Sequence, residues 1–186
     1  PLYAPGYYNR GRAYDQLGDP HRAIQDYGDA IGLDPTDAPS YQNRGAAYTK
    51  LGQFNQAMQD YDTAIRLDTG YVLAYRNRGG VHYALGEFER TIQDLDEAIR
   101  LDPQVPGAYT LRGIAYGSQG DFERAIQDLD EAIRLNPNDA RAYTNRATSY
   151  GGLGQYQLVI EDLDEAIRLD PQDATSYANR GSAYAR

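Results

Sequence analysis

Tyr41-Gln42-Asn43-Arg44-Gly45-Ala46-Ala47-Tyr48, followed by Leu51-Gly52, returns with small changes every 34 residues, and that period decides the fold. Leu17-Gly18, Leu51-Gly52, Leu85-Gly86, Gln119-Gly120 and Leu153-Gly154 share one register. So do Tyr7, Tyr41, Tyr75, Tyr109, Tyr143 and Tyr177, the alanines Ala30, Ala64, Ala98, Ala132 and Ala166, and the prolines Pro35, Pro103, Pro137 and Pro171. Essentially the whole 186-residue chain is repeat.

Each unit reads as two helices. The first helix of the second unit runs from about Ala38 to Leu51, with Asp37 as its N-cap and Gly52 supplying the left-handed residue that ends it. Tyr41, Gly45 and Tyr48 fall three and four apart on one stripe. In the first unit the second helix places Ile24, Tyr27, Ala30 and Ile31 on another, and Asp34-Pro35 closes it. One hairpin cannot bury both stripes, whereas stacked hairpins bury them against their neighbours. The pattern has departures. Thr69 replaces the closing proline, His82 a tyrosine and Thr91 an alanine, while in the fifth unit Ala147 replaces the contact glycine and Val159 the alanine facing it. The fifth hairpin is therefore expected to be slightly splayed.

These residues resemble the tetratricopeptide repeat family, in particular bacterial-type arrays with an Asn-Arg-Gly signature such as Asn43-Arg44-Gly45. The resemblance implies an all-α fold: a right-handed superhelix, or α-solenoid, of about five and a half helix-turn-helix repeats. The repeats would be 4–37, 38–71, 72–105, 106–139 and 140–173 with a partial first helix at 174–186, all in one solenoid over 1–186. It also implies that the first helices line a concave groove, and it specifies no ligand. Pro1 stands one period before Pro35 and Arg186 falls inside a sixth first helix, as in a window cut from a longer array. Tyr177, Gly181 and Tyr184 would then leave an uncovered stripe through which the ends associate either with further repeats of the same array or with other chains, the latter giving an end-to-end homo-oligomer.

Composition narrows the chemistry. No cysteine means no disulfide, thiolate metal site or cysteine nucleophile. A net charge of −9 argues against nucleic acid or anionic lipid as partner, and no apolar run approaches the ~20 residues of a membrane span. Of the 21 aromatic residues 18 are tyrosine, so tyrosine is expected to carry most of the large-residue burial. There is no HExxH or P-loop; His21 begins a second helix and His82 stands on a buried stripe, so no catalytic constellation is expected. The Asp-Leu-Asp-Glu segments around residues 94, 128 and 162 lack the glycine and ligand spacing of a calcium loop. Asp96 and Glu97 instead suit helix-surface pairs with Arg100. Neither metal nor cofactor is expected.

Basic residues gather in the first helices. Arg10, Arg44, Arg78, Arg112, Arg146 and Arg180 form one row, matched in the second helices by Asp26, Asp60, Asp94, Asp128 and Asp162. Two rows repeating together favour a ladder of internal pairs over an anion-binding stripe. Arg12, Lys50, Arg76, Arg141 and Arg186 lie on the opposite face, either as a mildly basic groove or as ordinary solvated charge.

Asn9, Asn43, Asn77, Asn145 and Asn179 occupy one equivalent position, interrupted by Leu111. A side-chain amide can grip an extended peptide backbone without reading its sequence. The row resembles the asparagine ladder of O-linked N-acetylglucosamine transferases; it could equally bridge neighbouring first helices. Leu111 and Ile114, with Tyr83 of the preceding first helix, form either an apolar anchor in the groove or local helix contacts. The carboxylate clamp of family members that hold chaperone tails is not expected, because Tyr8, Gln42, Thr110 and Thr144 stand where it needs lysine. Three functions follow in order: a non-enzymatic scaffold binding a protein or peptide segment in its groove, a module stacking through its ends, and a substrate-recruiting arm of a larger enzyme.

Overall fold

The computed structural model describes residues 3–186; Pro1, and with it the reading of a preceding unit, lies outside the described residues. Those residues form eleven helices and no strand: α1 (Ala4–Gln16), α2 (Pro20–Leu33), α3 (Ala38–Lys50), α4 (Phe54–Leu67), α5 (Val72–Ala84), α6 (Phe88–Leu101), α7 (Pro106–Ser118), α8 (Phe122–Leu135), α9 (Ala140–Gly152), α10 (Tyr156–Leu169) and α11 (Ala174–Tyr184). The chain divides into two compact units, Pro1–Gly86 and Glu87–Arg186. In the first, α1 pairs with α2 and α3 with α4, each hairpin stacks on the next, and α5 lies on α4. In the second, α6 lies on α7, α7 pairs with α8 and α9 with α10, and α11 lies on α10.

Local chemistry sets these boundaries. Gly18, Gly52, Gly86, Gly120 and Gly154 all have φ between 69° and 81°, the left-handed conformation that lets a first helix stop within two residues. Asp19, Asp37, Asp121, Asp139 and Asp173 cap the helices after them by accepting backbone N–H bonds. The closing proline proves not to be what stops a second helix. Asp34 Oδ1 accepts from Thr36 N–H at 3.0 Å, Asp102 Oδ1 from Gln104 at 2.9 Å and Asp170 Oδ1 from Gln172 at 3.1 Å. Asp68 makes the same turn with Gly70 at 2.9 Å, although Thr69 stands where proline is usual. Asn136 Oδ1 accepts from Asn138 N–H at 3.3 Å after α8, so the shared stop is an aspartate or asparagine turn, and proline only accompanies it.

Burial follows the small residues. A Cβ built on Gly45 would lie 2.8 Å from Tyr61 Cε1, and one on Gly113 would lie 2.9 Å from Leu129 Cγ and 3.0 Å from the Ala125 carbonyl oxygen. Glycine thus lets the first helix settle onto the ring or isobutyl group of the second. The largest fully buried side chains are Tyr27 and Tyr61 in the first unit but Leu95, Leu129 and Leu163 in the second. Tyrosine therefore dominates only the first unit's fully buried positions, while first-helix tyrosines such as Tyr41, Tyr109 and Tyr143 are half-buried. Each fully buried leucine contributes roughly 1.5–3 kcal/mol of transfer free energy.

Candidate functional site

The arginine row is spent on the fold. Arg10 holds Asp26 with Nε–Oδ2 and Nη2–Oδ1 both at 2.7 Å, and Arg44 holds Asp60 at 2.8 and 2.7 Å. Arg112–Asp128 (2.8 and 2.7 Å) and Arg146–Asp162 (2.9 and 2.6 Å) repeat the two-point geometry. Each guanidinium also lies over the tyrosine three residues earlier, as Arg44 does over Tyr41 at 5.6 Å. The arginine row also meets a second row of carboxylates that the sequence reading overlooked: Arg112 binds Asp96 and Arg146 binds Asp130 besides their first partners, and Arg78 binds Asp62 at 2.7 Å and Arg180 binds Asp164. Burial opposes the charge of Arg112, yet its bonds to Asp128 and Asp96 hold its pKa above the ordinary arginine value. Asp62, Asp96, Asp130 and Asp164 keep the 34-residue register, so the signal was present.

Asp96 thus turns to Arg112, and the surface partner of Arg100 is Glu97, bonded at 2.6 and 2.8 Å. The acidic segments are consumed as ion pairs in this way. Among the described residues no three His, Asp or Glu side chains converge as a metal site would require. His82 is buried in α5 and His21 is exposed.

On the opposite face of the first helices the predicted residues differ in what they do. Lys50 reaches back to Asp15 of α1, with Nζ 2.7 and 2.8 Å from the two carboxylate oxygens. Asn43 donates to the Tyr8 hydroxyl at 3.1 Å, bridging α3 to α1. Arg76 donates to Asn77 Oδ1 at 3.1 Å, and Asn145 donates to its own helix at the Arg141 carbonyl, 2.7 Å. Asn9, Arg12, Arg141 and Asn179 are exposed, and among the described residues none of their side chains makes a hydrogen bond or ion pair; Arg12 lies over the Tyr8 ring at 5.8 Å. The asparagine row is therefore part bridge and part unspent. Leu111 and Ile114 are half-buried, three residues apart on α7, and Tyr83 is half-buried on α5. At the end of the second unit Tyr177 is 44% and Tyr184 67% exposed, and a Cβ on Gly181 would meet nothing within 4 Å.

One feature of this face had no counterpart in the reading of its charges. A cleft of about 300 Å³ opens in the fifth hairpin between α9, α10 and α11, floored by Ala147, Val159 and Leu163. Two of its lining residues, Ala147 and Val159, are the paired substitutions of the fifth unit.

Comparison with known proteins follows from this geometry. A family model described as Tetratricopeptide repeat matches residues 4–37, 106–139 and 140–173, another of that description matches 27–59, and one described as TPR repeat matches 47–86 and 81–120. The chain belongs to the tetratricopeptide repeat family. Such repeats form protein-interaction scaffolds in general, and no catalytic family is indicated. No curated protein sequence matches the chain. Among solved structures the chain is similar to the MamA protein, at 26% identity and TM-score 0.76 over 92% of this chain and 94% of that one. It also shares the fold of TTC0263 from Thermus thermophilus, at 20% identity and TM-score 0.78 over 98% of this chain and all of that one. A third is YrrB, described as a TPR protein with an unusual peptide-binding site, at 21% identity and TM-score 0.75 over 96% and 92% of the two chains. Among the described residues no helix of this tetratricopeptide repeat protein is long and apolar enough to cross a membrane.

Proposed function

We propose that the chain is a protein-interaction scaffold, one repeat array that holds an extended partner segment along its first helices. The observation that carries this reading is a division of labour among polar side chains. The Arg10, Arg44, Arg112 and Arg146 guanidinium groups are committed to internal carboxylates, whereas Asn9, Arg12, Arg141 and Asn179 on the opposite face have their hydrogen-bonding capacity unspent. Amides and guanidinium groups offer what a peptide backbone and its carboxylates require. The test is site-specific photo-crosslinking in source lysate, with the crosslinker placed at Arg12 or Arg141 and, as controls, at Gln93 or Gln127 on second helices. Crosslinks to one partner from the first pair alone support the groove; crosslinks from the second pair alone place function on the other face and overturn it.

A second reading, end-to-end association through Tyr177, Gly181 and Tyr184, is favoured by their exposure. Concentration-dependent sedimentation abolished by Tyr184→Glu supports it, and a strict monomer at high concentration removes it.

A further inference from the structure

The cleft between α9, α10 and α11 lies beside a departure from the packing of the other hairpins. At Gly45 and Gly113 a Cβ would press on the second helix, the nearest backbone atoms being the carbonyl oxygens of Ala57 and Ala125 at 3.2 and 3.0 Å. In the fifth hairpin that Cβ exists, as Ala147, and the alanine it would face is Val159. Both add volume between α9 and α10 relative to the second and fourth hairpins, while Arg146 still holds Asp162 across them at 2.9 and 2.6 Å. Ala147, Val159, Leu163 and Ala183 remain one apolar cluster, and together they make the cleft's floor. Its rim carries Thr148, Asn179, Ser182 and Arg186. At about 300 Å³ it lies at the lower end of ligand-binding volumes, suited to one large side chain with its backbone.

The rim also states the charge of its occupant. Arg186 is the equivalent, four periods on, of Lys50, whose ammonium binds the Asp15 carboxylate at 2.7 Å. The position equivalent to Asp15 is Gly151, which lines the cleft and has no side chain to offer. Likewise Asn43 donates to Tyr8, but the equivalent of Tyr8 facing Asn179 is Thr144, whose hydroxyl is bonded to the Ala140 carbonyl at 3.1 Å and lies 3.1 Å from Ser176 Oγ. The lining therefore holds one cationic side chain and no acidic side chain in a chain of net charge −9, with the Asn179 amide beside it. In the first unit the cation at this position is paired with a carboxylate, whereas Gly151 supplies none to Arg186.

We infer that this cleft receives an aliphatic side chain of an extended acidic peptide, whose neighbouring carboxylate takes beside Arg186 the place that Asp15 takes beside Lys50. The inference rests on the groove reading above and names its anchor. Leu111 and Ile114, the anchor suggested by the sequence, lie one repeat earlier on α7.

The test uses the 186-residue chain and pools of short labelled peptides, blocked at both ends, degenerate except for a central Glu-Leu-Glu, Gln-Leu-Gln, Lys-Leu-Lys or Glu-Ala-Glu. Fluorescence anisotropy should rank Glu-Leu-Glu first, by about ten-fold over Glu-Ala-Glu, because the cleft buries the isobutyl group. Ser182→Phe, which fills the mouth, should erase that difference. Arg186→Glu should transfer the preference to Lys-Leu-Lys, a charge swap that a merely structural arginine would not produce. If all pools bind alike and Ser182→Phe changes nothing, the cleft assignment fails and backbone gripping in the groove stands. If no pool binds while crosslinks form at Arg12 and Arg141, the cleft assignment again fails alone; if neither occurs, both fail.

Discussion

Arg112 and Asp128 are joined by two parallel bonds, Nε to Oδ2 at 2.8 Å and Nη2 to Oδ1 at 2.7 Å, with the aspartate side chain 9% exposed. A buried carboxylate held this way is costly to strand, since removing its partner leaves the desolvation penalty without the compensating bonds. Arg112→Met, which leaves Asp128 buried without its partner, should therefore destabilise the second unit by about 3 kcal/mol, and Asp128→Ala by less, because Arg112 keeps Asp96. The double variant should lose less than the sum, because neither charge is then left alone. Urea denaturation of the four proteins measures this; strict additivity would show that the pair is not coupled.

The glycine contacts predict an asymmetry between hairpins. In Gly113→Ala the new methyl meets Leu129 Cγ and a backbone carbonyl that cannot swing away, so α7 must lift from α8 at a cost of about 1–3 kcal/mol. In the fifth hairpin Ala147→Gly removes a methyl that has already been accommodated, and the cost is the helix propensity of glycine, about 1 kcal/mol. Thermal melting should rank Gly113→Ala as the more damaging. Equal losses would mean that the fourth hairpin relaxes as freely as the fifth.

Two exposed glycines should respond to alanine with opposite signs. Gly120 has φ +81° and open space around its missing Cβ, so Gly120→Ala pays only backbone strain, about 1–2 kcal/mol. Gly32, in α2, is equally unobstructed but helical, so Gly32→Ala should stabilise by about 0.5–1 kcal/mol. Guanidinium midpoints decide it, and a stabilising Gly120→Ala would contradict the turn assignment.

Alkaline pH should unfold the first unit through its buried phenols. Burial pushes the Tyr61 hydroxyl up to about 12, a rise that its bond with Thr49 only partly offsets, and burial raises Tyr71 to about 12 as well. Between the unfolded value near 10 and that raised value the unfolded chain has released protons that the folded chain retains. Stability is thus fully present below about pH 10 and falls as pH rises toward 12. Circular dichroism followed alongside phenolate absorbance should show Tyr61 ionising together with unfolding, and Tyr61→Phe should delay the loss. An independent titration of all tyrosines before unfolding would exclude this coupling.

Much of the architecture was legible because it repeats. Tyr41, Gly45, Tyr48 and Gly52 each recur at one spacing, so the helix faces and the turn glycine identify themselves. The pairing of Arg112 with Asp128 was legible for the same reason. What the sequence concealed is directional. Asp96 could serve Arg100 on its own helix or Arg112 on the next, and only the stacking of α7 on α6 selects the second. Asn43 and Asn145 hold equivalent positions, yet one finds a tyrosine hydroxyl and the other its own backbone, because Tyr8 has threonine as its counterpart at Thr110. The role of a repeated side chain depends on the residue one period away, and a row read alone omits it.

The second carboxylate row also bears on how such a chain grows by gene duplication. Arg112 looks forward to Asp128 and back to Asp96, each sixteen residues away. A copied 34-residue segment brings an arginine and both kinds of aspartate with it, so an insertion between two units finds complementary charge at each new junction without further mutation. Gly28 is the exception: it stands where the later repeats have the backward-facing aspartate, and a Cβ added there would lie 3.7 Å from Arg44 Nη1. A duplicate of the first unit would carry that gap to every junction it made, which leaves the later units as the better parents for a lengthened array.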